Sequence, residues 1–156
     1  MKIHWRRLIF CLLVPLGVGG LAAFLTRNQM EIFNTINKPL LTPPAWLFPV
    51  VWSILYLLMG FASYRIGHAP KPTGYKNQTI IIYAIQLFFN FVWSLIFFGL
   101  RHFGLALVWL VLLWGLVLWL TIRAFFIDRV AFWCLVPYLV WTTFAGYLNL
   151  MIYLQN

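Results

Sequence analysis

Residues 79–122 read TIIIYAIQLFFNFVWSLIFFGL-RH-FGLALVWLVLLWGLVLWLTI, and Arg101 is the one full charge among them. A helix that crosses a bilayer needs about 20 mostly apolar residues. The stretch holds two such lengths, 79–100 and 103–122, separated only by Arg101 and His102. Two residues leave room for nothing but a tight antiparallel hairpin. Working outward, the same criterion selects 8–25, 46–66 (introduced by Pro43 and Pro44) and 130–154. The expectation is an all-α integral membrane protein, a five-transmembrane-helix bundle, with residues 1–156 forming one domain. Asp128 stands where an N-cap for the last helix belongs.

Composition points the same way. Of 156 residues, 64% are hydrophobic, 20% aromatic and 8% charged, against about 25% charged in a soluble domain. That excludes both an ordinary soluble fold and a disordered chain. In a soluble chain a net charge of +9 would indicate nucleic acid. Here the bilayer accounts for it, because basic residues gather where a membrane protein meets anionic lipid. The lipid bilayer is therefore an expected partner and nucleic acid is not.

Sidedness follows from where the charges fall. Lys2, Arg6, Arg7, Arg65, Lys71, Lys76, Arg123, Asp128 and Arg129 share one side, with a net +7; Arg27, Glu31, Lys38 and Arg101 share the other, with a net +2. The positive-inside rule then puts the N-terminus in the cytoplasm. The 8–25 run is longer than the roughly 7–15-residue core of a signal peptide, so it is expected to remain as a span.

The charged and nucleophilic residues exclude several chemistries. Glu31 and Asp128 fall on opposite sides, so paired-carboxylate hydrolysis is out of reach; each reads as a lone charge beside a helix end. Cys11 and Cys134 are single residues in apolar runs, and His4, His68 and His102 are far apart with no ligand spacing. Neither a metal site nor a cofactor is expected. The absence of an internal repeat argues against an inverted-repeat transporter.

Two features invite a site. The 26–45 loop is the longest connection. Met30, Phe33 and Ile36 recur in it at helical spacing, and three prolines stiffen its end, so it reads either as a lid or as a connector lying on headgroups. Inside the spans, Gln86, Asn90, Trp93 and Phe97 lie on one helical face, as do Trp52, Tyr56, Met59 and Ser63. Trp141, Ala145, Leu148 and Ile152 form a third such stripe, flanked by Tyr138 and Asn149. Aromatic stripes carrying a few amides suit a flat, largely apolar ligand; they equally suit helix packing with Asn and Gln as interhelical glue. The pair Gly19 and Ala23 reads as a close helix contact.

The stretch Lys38-Pro39-x-x-x-Pro43-Pro44-x-Trp46-x-Phe48-x-x-x-Trp52-x-x-x-Tyr56-x-x-Met59-Gly60 resembles the signature of the TspO/MBR family, the translocator proteins or peripheral-type benzodiazepine receptors. Two further stretches match it: Gln86-Leu87-x-x-Asn90-x-x-Trp93-Ser94 with Phe97-Phe98-Gly99, and Pro137-Tyr138-x-x-Trp141-x-x-Phe144-Ala145-x-x-Leu148-Asn149. The resemblance implies a bacterial-type member in the cell membrane, a homodimer, and a receptor or sensor. Such a protein binds tetrapyrroles such as protoporphyrin IX, and isoquinoline carboxamides or benzodiazepines, between its helices. It implies a ligand site made of Phe33, Pro43, Phe48, Trp52, Tyr56, Asn90, Trp93, Ser94, Trp141, Ala145 and Leu148. One alternative it carries is light- and oxygen-dependent porphyrin degradation, with Trp52 and Trp141 as the catalytic indoles; another is tetrapyrrole transport. Leu41 stands where the family commonly has Trp. No basic residue follows Tyr147 or Tyr153 to complete a cholesterol-recognition pattern.

Overall fold

The structure is a computed structural model that describes residues 2–29, 31 and 34–156. Five long helices make it up: α1 (Trp5–Thr26), α2 (Leu47–His68), α3 (Thr73–Ser94, prolonged by a π-helical turn Leu95–Leu100), α4 (Phe103–Ile127) and α5 (Arg129–Gln155). All five are long and apolar enough to cross a membrane, and no strand occurs among the described residues. The strongest pairings run α1–α2–α5–α4–α3; α3 closes back on α1 and also meets α2.

Each helix is longer than its apolar run at one end or both. α3 begins at Thr73, and its first turns carry Tyr75 and Lys76; α4 runs on through Arg123 to Ile127. These extensions lock together. The Arg123 guanidinium donates to Thr79 Oγ1 at 2.9 Å and to the Tyr75 carbonyl at 3.0 Å, and it lies 3.9 Å over the Tyr75 ring. A charge ends a hydropathy count without ending a helix, since the backbone bonds continue through the headgroup zone.

Asp128 caps α5, accepting from Ala131 N at 3.0 Å. It is not the lone charge expected from the sequence. Arg65 Nη2 donates to its Oδ2 at 2.7 Å, and Arg65 Nε to its Oδ1 at 3.2 Å. This two-pronged pair ties the end of α2 to the start of α5.

The hairpin between α3 and α4 is as tight as two residues demand. Arg101 turns the chain at φ 57°, and His102 N bonds back to the Ile96 carbonyl at 3.3 Å. The core gathers where α2, α4 and α5 meet, around Met59, Ala62, Leu113, Val117, Leu135 and Tyr138, all fully buried. Gly60 sets how near α1 can come: a Cβ there would lie 2.8 Å from Leu12 Cα. In a bilayer such small-residue contacts bring backbones together.

The 26–45 connection is pinned at its middle. Asn37 N donates to Asn156 Oδ1 at 3.2 Å, and Asn156 Nδ2 donates back to the Asn37 carbonyl at 3.0 Å. Ile36 packs onto the core, whereas Leu40 and Leu41 are exposed. Met30 and Phe33, two of the three residues behind the expected amphipathic turn, lie outside the described residues.

Candidate functional site: an aromatic cavity between α1, α2, α3 and α5

At the end of the bundle that carries the 26–45 connection, the helices part around a cavity of about 490 Å³. That is within the roughly 300–1,000 Å³ of small-molecule sites. α2 contributes Phe48, Pro49, Trp52 and Tyr56; α5 contributes Trp141, Ala145, Leu148, Asn149 and Ile152. Trp93, Ser94, Phe97 and Phe98 come from the end of α3 and its π-helical turn, which brings two adjacent phenylalanines to one wall. α1 closes the side with Gly19, Ala22, Ala23 and Thr26, and Ala45 and Trp46 stand at the mouth.

The rings hold one another in place. Trp141 meets Phe48 edge to face at 5.9 Å. Trp52 stacks on Tyr56 at 5.6 Å and meets Tyr138 edge-on at 6.3 Å. Trp93 stacks on Phe97 at 5.2 Å. Trp52 and Trp141 thus line the same cavity.

Beneath this wall lies a buried hydrogen-bonded layer. The Tyr56 hydroxyl donates to Asn90 Oδ1 at 3.0 Å, Asn90 Nδ2 donates to the Tyr138 hydroxyl at 2.8 Å, and that hydroxyl donates to Gln86 Oε1 at 2.7 Å. A second short chain runs from Trp93 Nε1 to Asn149 Oδ1 at 3.2 Å and from Asn149 Nδ2 to the Phe103 carbonyl at 2.9 Å. The amides join helix to helix. One polar atom of a lining residue is spared: the indole Nε1 of Trp141 is buried and has no partner among the described residues.

Of the residues singled out from the sequence, Phe48, Trp52, Tyr56, Trp93, Ser94, Trp141, Ala145 and Leu148 line the cavity together. Asn90 does not; it sits behind Tyr56 and fixes that ring. Pro43 is half-buried and away from the wall, and Phe33 lies outside the described residues. Sequence reasoning missed the whole α1 side. Gly19 serves both readings, since it lines the cavity and a Cβ on it would overlap the Tyr56 ring. The i, i+3, i+4 spacing of Gly19, Ala22 and Ala23 was the available signal. His4 and His68, remote in sequence, stack at 5.3 Å at the opposite end of the bundle.

The sequence profile of the TspO/MBR family matches residues 11–154. The chain belongs to the TspO/MBR family. It is 39% identical to the tryptophan-rich protein TspO of Chlorobaculum tepidum, over 96% of this chain and 95% of that one. It is 38% identical to the tryptophan-rich sensory protein of Cereibacter sphaeroides, over 96% and 90%. With the translocator protein of Bos taurus it shares 35% identity over 94% and 88%. Family membership and five apolar helices make this a multi-pass membrane protein.

Proposed function

We propose that the chain is a membrane receptor of sensor type that takes a flat, largely apolar molecule into the aromatic cavity. Tetrapyrroles such as protoporphyrin IX are the main ligand class, with isoquinoline carboxamides and benzodiazepines as synthetic equivalents. The observation that carries this reading is the Trp141 indole, a buried donor without a partner on a largely apolar wall. A buried unpaired N–H is costly, and a ligand carbonyl, carboxylate or ring nitrogen satisfies it. Trp52, Trp93 and Phe48 supply faces and edges for stacking. The proposal covers residues 1–156 as one ligand-binding unit in a bacterial cell membrane, with a cytoplasmic N-terminus and a homodimeric state. Its test is a titration of the purified protein with protoporphyrin IX, followed by tryptophan fluorescence. Saturable quenching that Ala145→Phe weakens supports it; quenching no different from that in empty micelles sinks it.

A second reading is supported by the common cavity of Trp52 and Trp141. A bound porphyrin would touch both indoles. Light would excite it, dioxygen would serve as the oxidant, and an indole radical or adduct would open the way to loss of the macrocycle. Neither an acid nor a base is needed. The check is the decay of porphyrin absorbance under illumination in wild type, Trp52→Phe, Trp141→Phe and protein-free micelles. Slower decay in both variants, each compared at saturating porphyrin, supports the reading, and decay in wild type no faster than in micelles ends it.

A further inference from the structure

A second hollow, of about 390 Å³, opens at the other end of the bundle, between α1, α2 and α3. Its lining is almost wholly apolar, with Phe10, Ile80 and the side-chain stems of Arg6 and Arg7, and Tyr64 and His68 border it. Among the described residues no carboxylate lines it. Of the two acids in the chain, Asp128 is engaged by Arg65 and Glu31 belongs to the 26–45 connection at the opposite end. The Gly67 and Ala69 carbonyls at the end of α2 would repel an anion. They are instead bound by Lys76 Nζ at 3.3 and 3.1 Å.

His68 is held so that one ring nitrogen is left without a partner among the described residues. Its Nδ1 lies 2.9 Å from the Tyr64 carbonyl, which can only accept, so Nδ1 carries the proton. Tyr64 is itself buried, and its hydroxyl accepts from His4 N at 2.9 Å. The imidazole is packed between the Tyr64 ring at 4.3 Å and the His4 ring at 5.3 Å. Its Nε2 is buried and has no partner among the described residues. That nitrogen donates to an anion oxygen when the ring is protonated and accepts from a hydroxyl when it is neutral.

An apolar hollow bordered by two exposed arginines matches a molecule with a hydrocarbon end and an anionic end. Basic pockets between transmembrane helices hold the head groups of acidic lipids. We infer that this hollow is a binding site for one anionic phospholipid, its phosphate at Arg6, Arg7 and His68 and the start of its acyl chain along Phe10 and Ile80. The apolar lining favours a lipid over a soluble phosphate, which would leave Phe10 and Ile80 uncovered. The site is separate from the aromatic cavity and does not depend on what that cavity binds.

Native mass spectrometry of the full chain reads this directly. The detergent-purified protein is titrated with phosphatidylglycerol or phosphatidylcholine of the same acyl chains, with and without millimolar inorganic phosphate. Wild type should retain phosphatidylglycerol at about tenfold lower concentration than phosphatidylcholine. Arg6→Gln/Arg7→Gln should erase that preference and His68→Gln should reduce it. Arg101→Gln, at the opposite end, should keep it. Phosphate should leave the lipid bound. Equal retention of the two lipids in wild type overturns the assignment, as does a preference that survives the double substitution. Displacement of the lipid by inorganic phosphate also overturns it, in favour of a soluble anion.

Discussion

The aromatic cavity and the hydrogen-bonded layer beneath it both draw on α2, α3 and α5, yet they treat their polar atoms in opposite ways. In the layer, Tyr56, Gln86, Asn90 and Tyr138 satisfy one another across three helices. At the wall, Trp141 keeps a buried N–H unpaired. A polar group in hydrocarbon needs a partner. The layer finds its partners inside the protein and so fixes the positions of α2, α3 and α5. The wall leaves one donor unmet. On the function proposed above, the layer is a matter of stability and the wall a matter of binding, and substitutions should separate the two.

The largest expected effect is in the layer. Tyr138→Phe removes the hydroxyl that joins Asn90 to Gln86 and orphans a group on each. Stability should fall by roughly 2–3 kcal/mol, read as a lower denaturation midpoint in detergent. A midpoint unchanged from wild type would mean that the layer contributes nothing. Next is the wall. Ala145→Phe puts a ring into the cavity and should weaken porphyrin binding by at least ~1.4 kcal/mol, a tenfold change, with the midpoint retained. If affinity holds in a folded variant, this face serves only packing. Trp141→Phe is milder. It keeps the aromatic surface and deletes the unpaired donor, so binding should drop by about 1 kcal/mol with no loss of stability. A destabilised Trp141→Phe would show that the indole N–H is satisfied within the protein. The smallest effect is expected at Ser94, whose hydroxyl reaches only the Asn90 carbonyl of its own helix, at 3.4 Å. Ser94→Ala should shift neither binding nor stability by more than about 0.5 kcal/mol; a larger loss of affinity would make Ser94 a ligand contact.

The comparison also explains what could be read in advance. The five spans were legible because hydrocarbon imposes length and apolarity on any crossing helix. Their ends were not, because Thr73 to Gln78 and Arg123 to Ile127 are helical turns in a zone where polar residues are at home. Asp128 announced itself as a cap by its place before an apolar run, but its partner Arg65 lies 63 residues away, and periodicity carries no information at that distance. The stripes gave the inward-turned faces of α2, α3 and α5. They did not give depth along the face, so Asn90 and Trp141 looked alike although one is joined to its neighbours and the other is unpaired. The contribution of α1 was hidden for a different reason: glycine and alanine look the same whether they admit a neighbouring helix or leave a space.

The Arg65–Asp128 pair has a consequence in time. During synthesis α2 emerges long before α5, and at about 5–20 residues per second the 63 residues between the two partners take several seconds to appear. Through that interval Arg65 has no carboxylate to meet, and Asn90 has no Tyr138. Both bonds wait for the same helix. The fifth span is therefore the one that completes both, and a chain halted before residue 128 has no Arg65–Asp128 pair and keeps only the Tyr56–Asn90 bond of the layer.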